Sequence, residues 1–116
     1  MDACLFALNT GWCINLSGGY HHATKSTSGG FCIYPDITIG IHFARKWGGI
    51  KKVLIIDLDA HQGNGHERDF MNDPNCFIID AYNPHIYPGD MYARQKIDGS
   101  IKVSPNWDDA KYLDEV

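Results

Sequence analysis

The chain has 116 residues, a formal net charge of −4 and 44% hydrophobic residues, a size and composition suited to one compact domain. Its scattered charges form no basic patch, so we expect no direct nucleic-acid binding, and no apolar run approaches the ~20 residues of a membrane span. Four separated cysteines, without a C-x-x-C pair or a signal-peptide pattern, favour reduced thiols inside a cell; two disulfides would need a secretory context.

The first polar cluster follows the first predicted strand. Residues 3–8 are apolar enough for a short helix, and the alternation over 12–16 predicts a strand that ends at Ser-Gly-Gly, 17–19. His21 and His22 follow at once. An isolated histidine pair is more often a solvated loop feature, but glycines beside it allow close backbone approach and favour a site. A pair of imidazoles can divide proton transfer and charge stabilisation, provided that a second polar cluster lies beside them.

A loop and a helix separate this cluster from the next strand. Residues 23–30 are polar and end in two glycines, which predicts a loop. Asp36 is expected to be the N-cap of an amphipathic core helix that stops at the Gly-Gly pair 48–49. We interpret His42 and Trp47 on this helix as structural. The order of strand, helix and strand predicts a right-handed βαβ unit.

The stretch VLIIDLDAHQGNG, residues 53–65, carries the strongest signal in the chain. Four large apolar residues predict a strand that is buried on both faces, as in a parallel sheet. Asp57, Asp59 and His61 follow at alternate positions and are expected on one side, at the end of the strand where ligands bind in such sheets. A lone aspartate here would more often cap a helix, but three polar groups cost desolvation unless they are paired or metal-bound. The donor types suit zinc.

After residue 65, the pattern of an apolar strand that ends in a polar residue recurs more weakly. A third apolar strand, residues 76–79, ends at Asp80. The aromatic loop 82–90 could be a pocket rim or surface decoration. The other predicted elements are a helical turn at 66–70, a turn at 72–75, a strand at 101–103, and a helix from about Trp107 with Asn106 as its cap.

Four motifs in this order, GGYHHA, GGFCIYPDI, DLDAHQGNG and IYPGD, resemble those of the zinc-dependent histone deacetylase family, and IIDLDAHQGNGHERDFM is most similar to class IV. The resemblance covers essentially the whole chain. It implies an α/β, parallel-sheet, arginase/deacetylase-like three-layer fold, truncated at both ends, with residues 1–116 as the central part of one incomplete catalytic domain. It also implies hydrolysis of acetyl or long-chain fatty acyl groups from lysine side chains of histones or other proteins, in the nucleus and also in the cytoplasm.

The resemblance assigns the metal ligands position by position. Asp59 and His61 match two of the three zinc ligands of the family. Asp57 matches the aspartate that contributes to a structural potassium (K+) site. Asp80 stands where many relatives have a serine in that potassium site.

The same resemblance assigns the catalytic groups. His21 corresponds to the electrostatic histidine, and Asp57 to the aspartate that orients it. His22 corresponds to the general base and acid. Asn64 stands where many relatives have an aspartate that partners the second histidine. Because an amide stabilises an imidazolium less than a carboxylate does, the pKa of His22 should be less elevated.

For the substrate, the resemblance places Gly30 and Phe31 on one wall of an acyl-lysine tunnel and Tyr87, at a common Phe position, on the other. The third zinc ligand and the oxyanion-stabilising tyrosine of the family match no residue here, so we expect the chain alone to be inactive and poorly folded.

Two alternatives remain: a non-catalytic chain that binds partners such as chromatin-associated proteins, and a related hydrolase of acetylated polyamines or other small amides. A purely structural βαβ domain is the least favoured reading.

Overall fold

The computed structural model describes all 116 residues as an open α/β structure with a three-stranded parallel sheet in the order β1-β2-β3. None of its helices combines the length and apolarity that crossing a membrane requires. The elements are α1 (Asp2–Thr10), α2 (Asp36–Gly48), β1 (Val53–Asp57), α3 (Asn64–Asp69), β2 (Cys76–Tyr82), a 3-10 helix (Ala93–Lys96), β3 (Gly99–Lys102) and α4 (Asp109–Glu115).

The register of the sheet places the polar ends of two strands side by side. Strand β1 pairs with β2 from Val53 opposite Cys76 to Asp57 opposite Asp80. The β1-α3-β2 segment is therefore a βαβ unit, and both aspartates lie at the carboxyl edge of the sheet. This arrangement confirms the predicted parallel α/β fold.

Helices cover one face of the sheet. The core there consists of four buried residues against which three partly buried ones pack: Ile41, Phe70, Cys76 and Ile78, with Ile37, Val53 and Ile55. The expectation that β1 is buried on both faces is wrong, because Leu54 and Ile56 are 54% and 58% exposed on the other face. The apolar run is explained by one buried face and one face without a covering layer.

The strand predicted over residues 12–16 is also wrong. The segment is irregular and exposed, with Trp12 71% and Leu16 97% accessible. A strand requires a neighbour that accepts its backbone hydrogen bonds, and this segment is not paired with any strand of the sheet, so the βαβ unit predicted from it, α2 and β1 is wrong too. His21 and His22 therefore follow a loop rather than a strand.

Two predicted helix caps are corrected as well. Asp36 is the first residue of α2, not its N-cap, and its carboxylate instead accepts the backbone N–H groups of Gly19 and Tyr20, each at 2.8 Å. The N-cap of α4 is Asp108 rather than Asn106, since the Asp108 side chain accepts a backbone N–H of the first turn. In both cases an aspartate carboxylate accepts backbone N–H groups that sequence spacing alone does not identify.

Candidate functional site

The loop that carries the two histidines is fixed from both sides. Asp36 accepts its backbone N–H groups at one end, as described above. At the other end, the backbone N–H of Gly65 donates to the carbonyl oxygen of His21 at 2.7 Å. A Cβ at position 65 would overlap the backbone of this loop, so the close approach requires glycine. The contact joins the histidine motif to the start of α3, and both imidazoles are buried, at 8% and 7% exposure for His21 and His22.

The carboxylate of Asp57 is bound by two imidazoles. Its Oδ2 lies 2.8 Å from Nδ1 of His21 and 2.8 Å from Nε2 of His66. Burial lowers the pKa of His21, but its hydrogen bond with Asp57 and the charge of that group outweigh burial, so the pKa is raised above its usual value. Burial raises the pKa of Asp57, yet the two imidazole bonds dominate and hold it far below the usual range. The carboxylate therefore stays ionised.

The second histidine has a neutral partner. Nδ1 of His22 lies 2.8 Å from Oδ1 of Asn64. Burial lowers the pKa of His22, the bond with Asn64 opposes this effect, and the neighbouring His21 and His61 lower the pKa further. The net pKa is below the usual value for histidine, because burial and the two neighbouring imidazoles outweigh the bond with Asn64.

Asp59 and His61 lie at the mouth of the same site. Nδ1 of His61 is 3.1 Å from Oδ1 of Asp59, and the same oxygen is 3.8 Å from Nε2 of His21. Both side chains are about half exposed. Burial raises the pKa of Asp59, but the backbone N–H and ring of His61 lower it below the usual value. Nδ1 of His61 and Oδ1 of Asp59 therefore lie at the mouth of the same pocket that His21 and His22 line.

A second group of potential ligands, His21, Asp57 and His66, has its nearest ligand atoms within 4.8 Å of one another. In this group the ring nitrogens that face Oδ2 of Asp57 are at hydrogen-bond distance from it. Nitrogens that carry those protons cannot at the same time donate a lone pair to an ion. We therefore describe this group as a hydrogen-bonded network. The contribution of Asp57 to a potassium site stays a prediction.

A pocket of about 720 Å³ opens above these groups. A Cβ at Gly30, whose φ is +50°, would overlap the ring of His22, so glycine leaves this wall open. The ring of Tyr87 stands edge-on to that of His22, with 4.9 Å between centroids. Phe31 has a φ of +64° and a fully exposed ring at the rim. The lining residues are Gly19, Tyr20, His21, His22, Gly30, Phe31, Cys32, Asp59, His61 and Tyr87.

Every site residue predicted from the sequence thus lies in the pocket wall or directly behind it, whereas Asp80 lies deeper. Asp80 is completely buried, accepts the backbone N–H of Gly63 at 2.9 Å, and contacts the carboxyl group of Glu67. Gln62 donates to the other side of Glu67 at 2.6 Å. Sequence reasoning missed this buried network and His66. The sequence of α3, NGHERD, is polar throughout and gave no signal that two of its side chains are buried.

These features define the class of protein: an open parallel α/β protein with paired histidines and potential metal ligands at the carboxyl edge of its sheet. The family model described as "Histone deacetylase domain" matches residues 2–114. The chain belongs to the histone deacetylase family.

Individual relatives agree with this assignment. Histone deacetylase 2 of Arabidopsis thaliana is 49% identical over 111 residues, which are 96% of this chain and 29% of the relative. A chloroplastic relative, histone deacetylase 14 of the same plant, is 36% identical over 69 residues, covering 60% of this chain and 16% of the relative. A solved structure described as an HDAC homolog complexed with SAHA matches with a TM-score of 0.71 and 28% identity, over 86% of this chain and 30% of that one. The chain therefore spans less than a third of the length of these relatives.

Proposed function

We propose that this chain carries the general base, its partner groups and two metal ligands of a zinc-dependent protein-lysine deacylase. One observation supports this function above the others. His21 and His22 are held by separate partners, Asp57 and Asn64, with the ligand pair of Asp59 and His61 facing them across one open pocket. A structural domain has no need to gather these groups beside open space.

An imidazole and a carboxylate are ligand types that zinc accepts, and His61 and Asp59 present them together at the half-exposed mouth of the pocket. Nδ1 of His61 and Oδ1 of Asp59 are at hydrogen-bond distance, 3.1 Å, so zinc would take the place of the proton between them. Unlike the buried carboxylate of Asp57, which two imidazoles bind, this pair is open to the pocket. When bound, zinc would supply polarisation of the acyl carbonyl and a bound water of lowered pKa.

The hydrogen bonds assign the proton-transfer atoms. Since Asn64 presents its amide oxygen to Nδ1 of His22, that nitrogen carries the proton and Nε2 is free to act as the base. Nε2 of His22 accepts a proton from the attacking water, the acyl carbon–nitrogen bond breaks, and Nε2 returns the proton to the departing lysine amine. His21, which is held by Asp57 and lies against the ring of His22, is placed to act electrostatically on the charge that develops there.

Within the family, we assign the chain to class IV, the class of histone deacetylase 11, on the motif DLDAHQGNGHERDFM. The proposed substrates are acetyl-lysine or long-chain acyl-lysine side chains of histones or other proteins, in the nucleus and cytoplasm. Chloroplastic members exist among the relatives, so a fluorescent fusion in living cells is the appropriate test of location.

We further propose that the 116-residue chain has little activity by itself. The third zinc ligand and the oxyanion tyrosine of the family match none of its residues. Loss of one oxyanion donor alone typically costs ~100-fold or more in turnover. Apolar side chains of the sheet are also exposed, which should lower the stability of the isolated chain and so its activity.

Zinc affinity and peptide hydrolysis together test the deacylase proposal. We expect Asp59→Asn to weaken zinc binding by tenfold or more, as measured by calorimetry. Any hydrolysis of acetyl-lysine or myristoyl-lysine peptides should require both zinc and His22. Equal zinc affinity in the Asp59→Asn variant, or hydrolysis that persists in His22→Ala with a chelator present, would overturn the proposal.

The uncovered sheet face supports a second candidate function, binding of another polypeptide. Leu54, Ile56 and Phe77 are 54%, 58% and 42% exposed on neighbouring strands. Contiguous apolar surface of this kind marks interaction sites. A chain that acts through this face would keep its partner when Asp59 and His61 are replaced, whereas a deacylase would lose its activity.

A further inference from the structure

His66 hydrogen-bonds the same carboxylate oxygen as His21, although the family resemblance gave it no role. Nε2 of His66 lies 2.8 Å from Oδ2 of Asp57, and Nδ1 of His21 lies 2.8 Å from that oxygen on another side. His66 is 1% exposed and is absent from the pocket wall. It therefore cannot contact a substrate and can act on the site only through Asp57.

We propose that His66 is a positioning residue for His21, an inference that rests on the deacylase function proposed above. By donating to Oδ2, His66 fixes the orientation of the Asp57 carboxylate. The fixed carboxylate in turn keeps His21 in the tautomer that carries its proton on Nδ1. Nε2 of His21 then points towards Asp59 and the pocket, where charge develops during acyl transfer.

The surroundings of Asp57 leave its carboxylate little freedom while His66 is present. Oδ1 accepts the backbone N–H of Asp59 at 3.1 Å. A Cβ at Gly63 would overlap both Nε2 of His66 and Oδ2 of Asp57, so the backbone of Gly63 lies directly against this hydrogen bond. Removal of the imidazole would leave Oδ2 with the His21 donor alone and open space into which the carboxylate can turn.

The other nitrogen of His66 indicates that packing alone does not explain this residue. Nδ1 is buried and has no hydrogen-bond partner. A buried polar atom without a partner destabilises the folded state, so an aliphatic side chain would fill the same space with less loss of stability. The bond to Asp57 offsets this cost. It also requires His66 to carry a proton on Nε2.

Histidine side-chain ¹⁵N NMR of the zinc-free chain, at a pH above the titration midpoint of His21 so that its imidazole is neutral, tests the proposal. His66→Leu removes the donor and keeps an apolar side chain of similar size, and His66→Gln keeps an N–H donor. His42→Gln, on the exposed side of α2, is the matched control. For His21, we expect the ratio of the Nε2–H to the Nδ1–H tautomer to rise about fivefold in His66→Leu, the effect of one lost hydrogen bond. The ratio should change little in His66→Gln and in the control.

Three results would overturn the proposal. The first is an unchanged His21 tautomer ratio in His66→Leu. The second is the same change in the Leu and Gln variants, which would indicate a packing role only. The third needs no variant: His66 of the wild-type chain found with its proton on Nδ1. Since none of these readings involves zinc or turnover, failure of the deacylase function would be recognised separately.

Discussion

Oδ1 of Asn64 lies 2.8 Å from Nδ1 of His22, so the proposed general base is oriented by a neutral amide rather than by a carboxylate. The companion imidazole, His21, has the carboxylate of Asp57 at the same distance. The two partners differ in charge, and the pKa of His21 is raised while that of His22 is lowered. The lowered pKa favours the unprotonated form of His22, which is the form that a general base requires.

Replacing Asn64 by Asp should raise the pKa of His22. A carboxylate stabilises the imidazolium, so we expect the NMR titration midpoint of His22 to move up by about 1–3 pH units. The acid limb of any hydrolysis profile should move in the same direction. Asn64→Ser, which keeps a neutral partner, is the control. A midpoint that stays in place or falls in Asn64→Asp would contradict this account of the pair.

Glu67→Gln should stabilise the chain at neutral and alkaline pH. Burial, together with the contact with Asp80, raises the pKa of Glu67 to about 9. The folded state therefore retains a proton that the unfolded state releases above about pH 4.5. The stability linked to this proton is fully present below pH 4.5 and declines as the pH rises towards 9.

Glutamine can donate to Asp80 and accept from Gln62 without a proton to lose. We expect the free energy of unfolding of Glu67→Gln at pH 8 to exceed that of the wild type by about 1–3 kcal/mol, with little difference at pH 4. Urea titrations at both pH values measure this difference. Lower stability of the variant at pH 8 would contradict a protonated Glu67.

Gly30→Ala should disturb the pocket. A Cβ at this position overlaps the ring of His22, and the positive φ adds backbone strain. We expect the ring signals of His22 to shift or broaden. Gly49→Ala, also at positive φ but with open space around its Cβ, separates the steric effect from the strain. Equal effects of the two variants on His22 would contradict the placement of Gly30 in the pocket wall.

Ile56→Lys should be tolerated, whereas Ile55→Lys should not. Ile56 is 58% exposed on the uncovered sheet face, and Ile55 packs against the core on the other face. A lysine at position 56 should reduce self-association, as measured by light scattering, with little change in unfolding. A lysine at position 55 should abolish cooperative unfolding. A reversed order would mean that the faces of β1 are assigned wrongly.

The sequence predicts the residues of the site better than it predicts which segments pack around them. The runs that form β1 and β2 are apolar and end in Asp57 and Asp80, so a shared polar edge follows from the parallel geometry alone. A periodic pattern does not show whether a neighbouring strand or helix is present, so it predicts a strand at 12–16 and burial of both faces of β1, neither of which forms. The role of Asp36 depends on a loop 16 residues away in the chain.

The buried polar network was missed for a related reason. His66 and Glu67 lie in a short polar helix, and such a sequence usually indicates a solvated surface. Only the packing of α3 against the carboxyl edge of the sheet brings these side chains to Asp57 and Asp80. Buried hydrogen-bond partners that are distant in sequence leave no periodic signal.

Asp59 and His61 are proposed to bind zinc beside the two histidines. Calorimetric titration of the purified chain with zinc, compared with the Asp59→Asn/His61→Gln double variant, measures this binding. We expect one site per chain and an affinity at least about tenfold higher than that of the double variant, since each lost ligand weakens coordination. The control variant His42→Gln should bind like the wild type. Equal zinc affinity in the wild type and the double variant would contradict the claim.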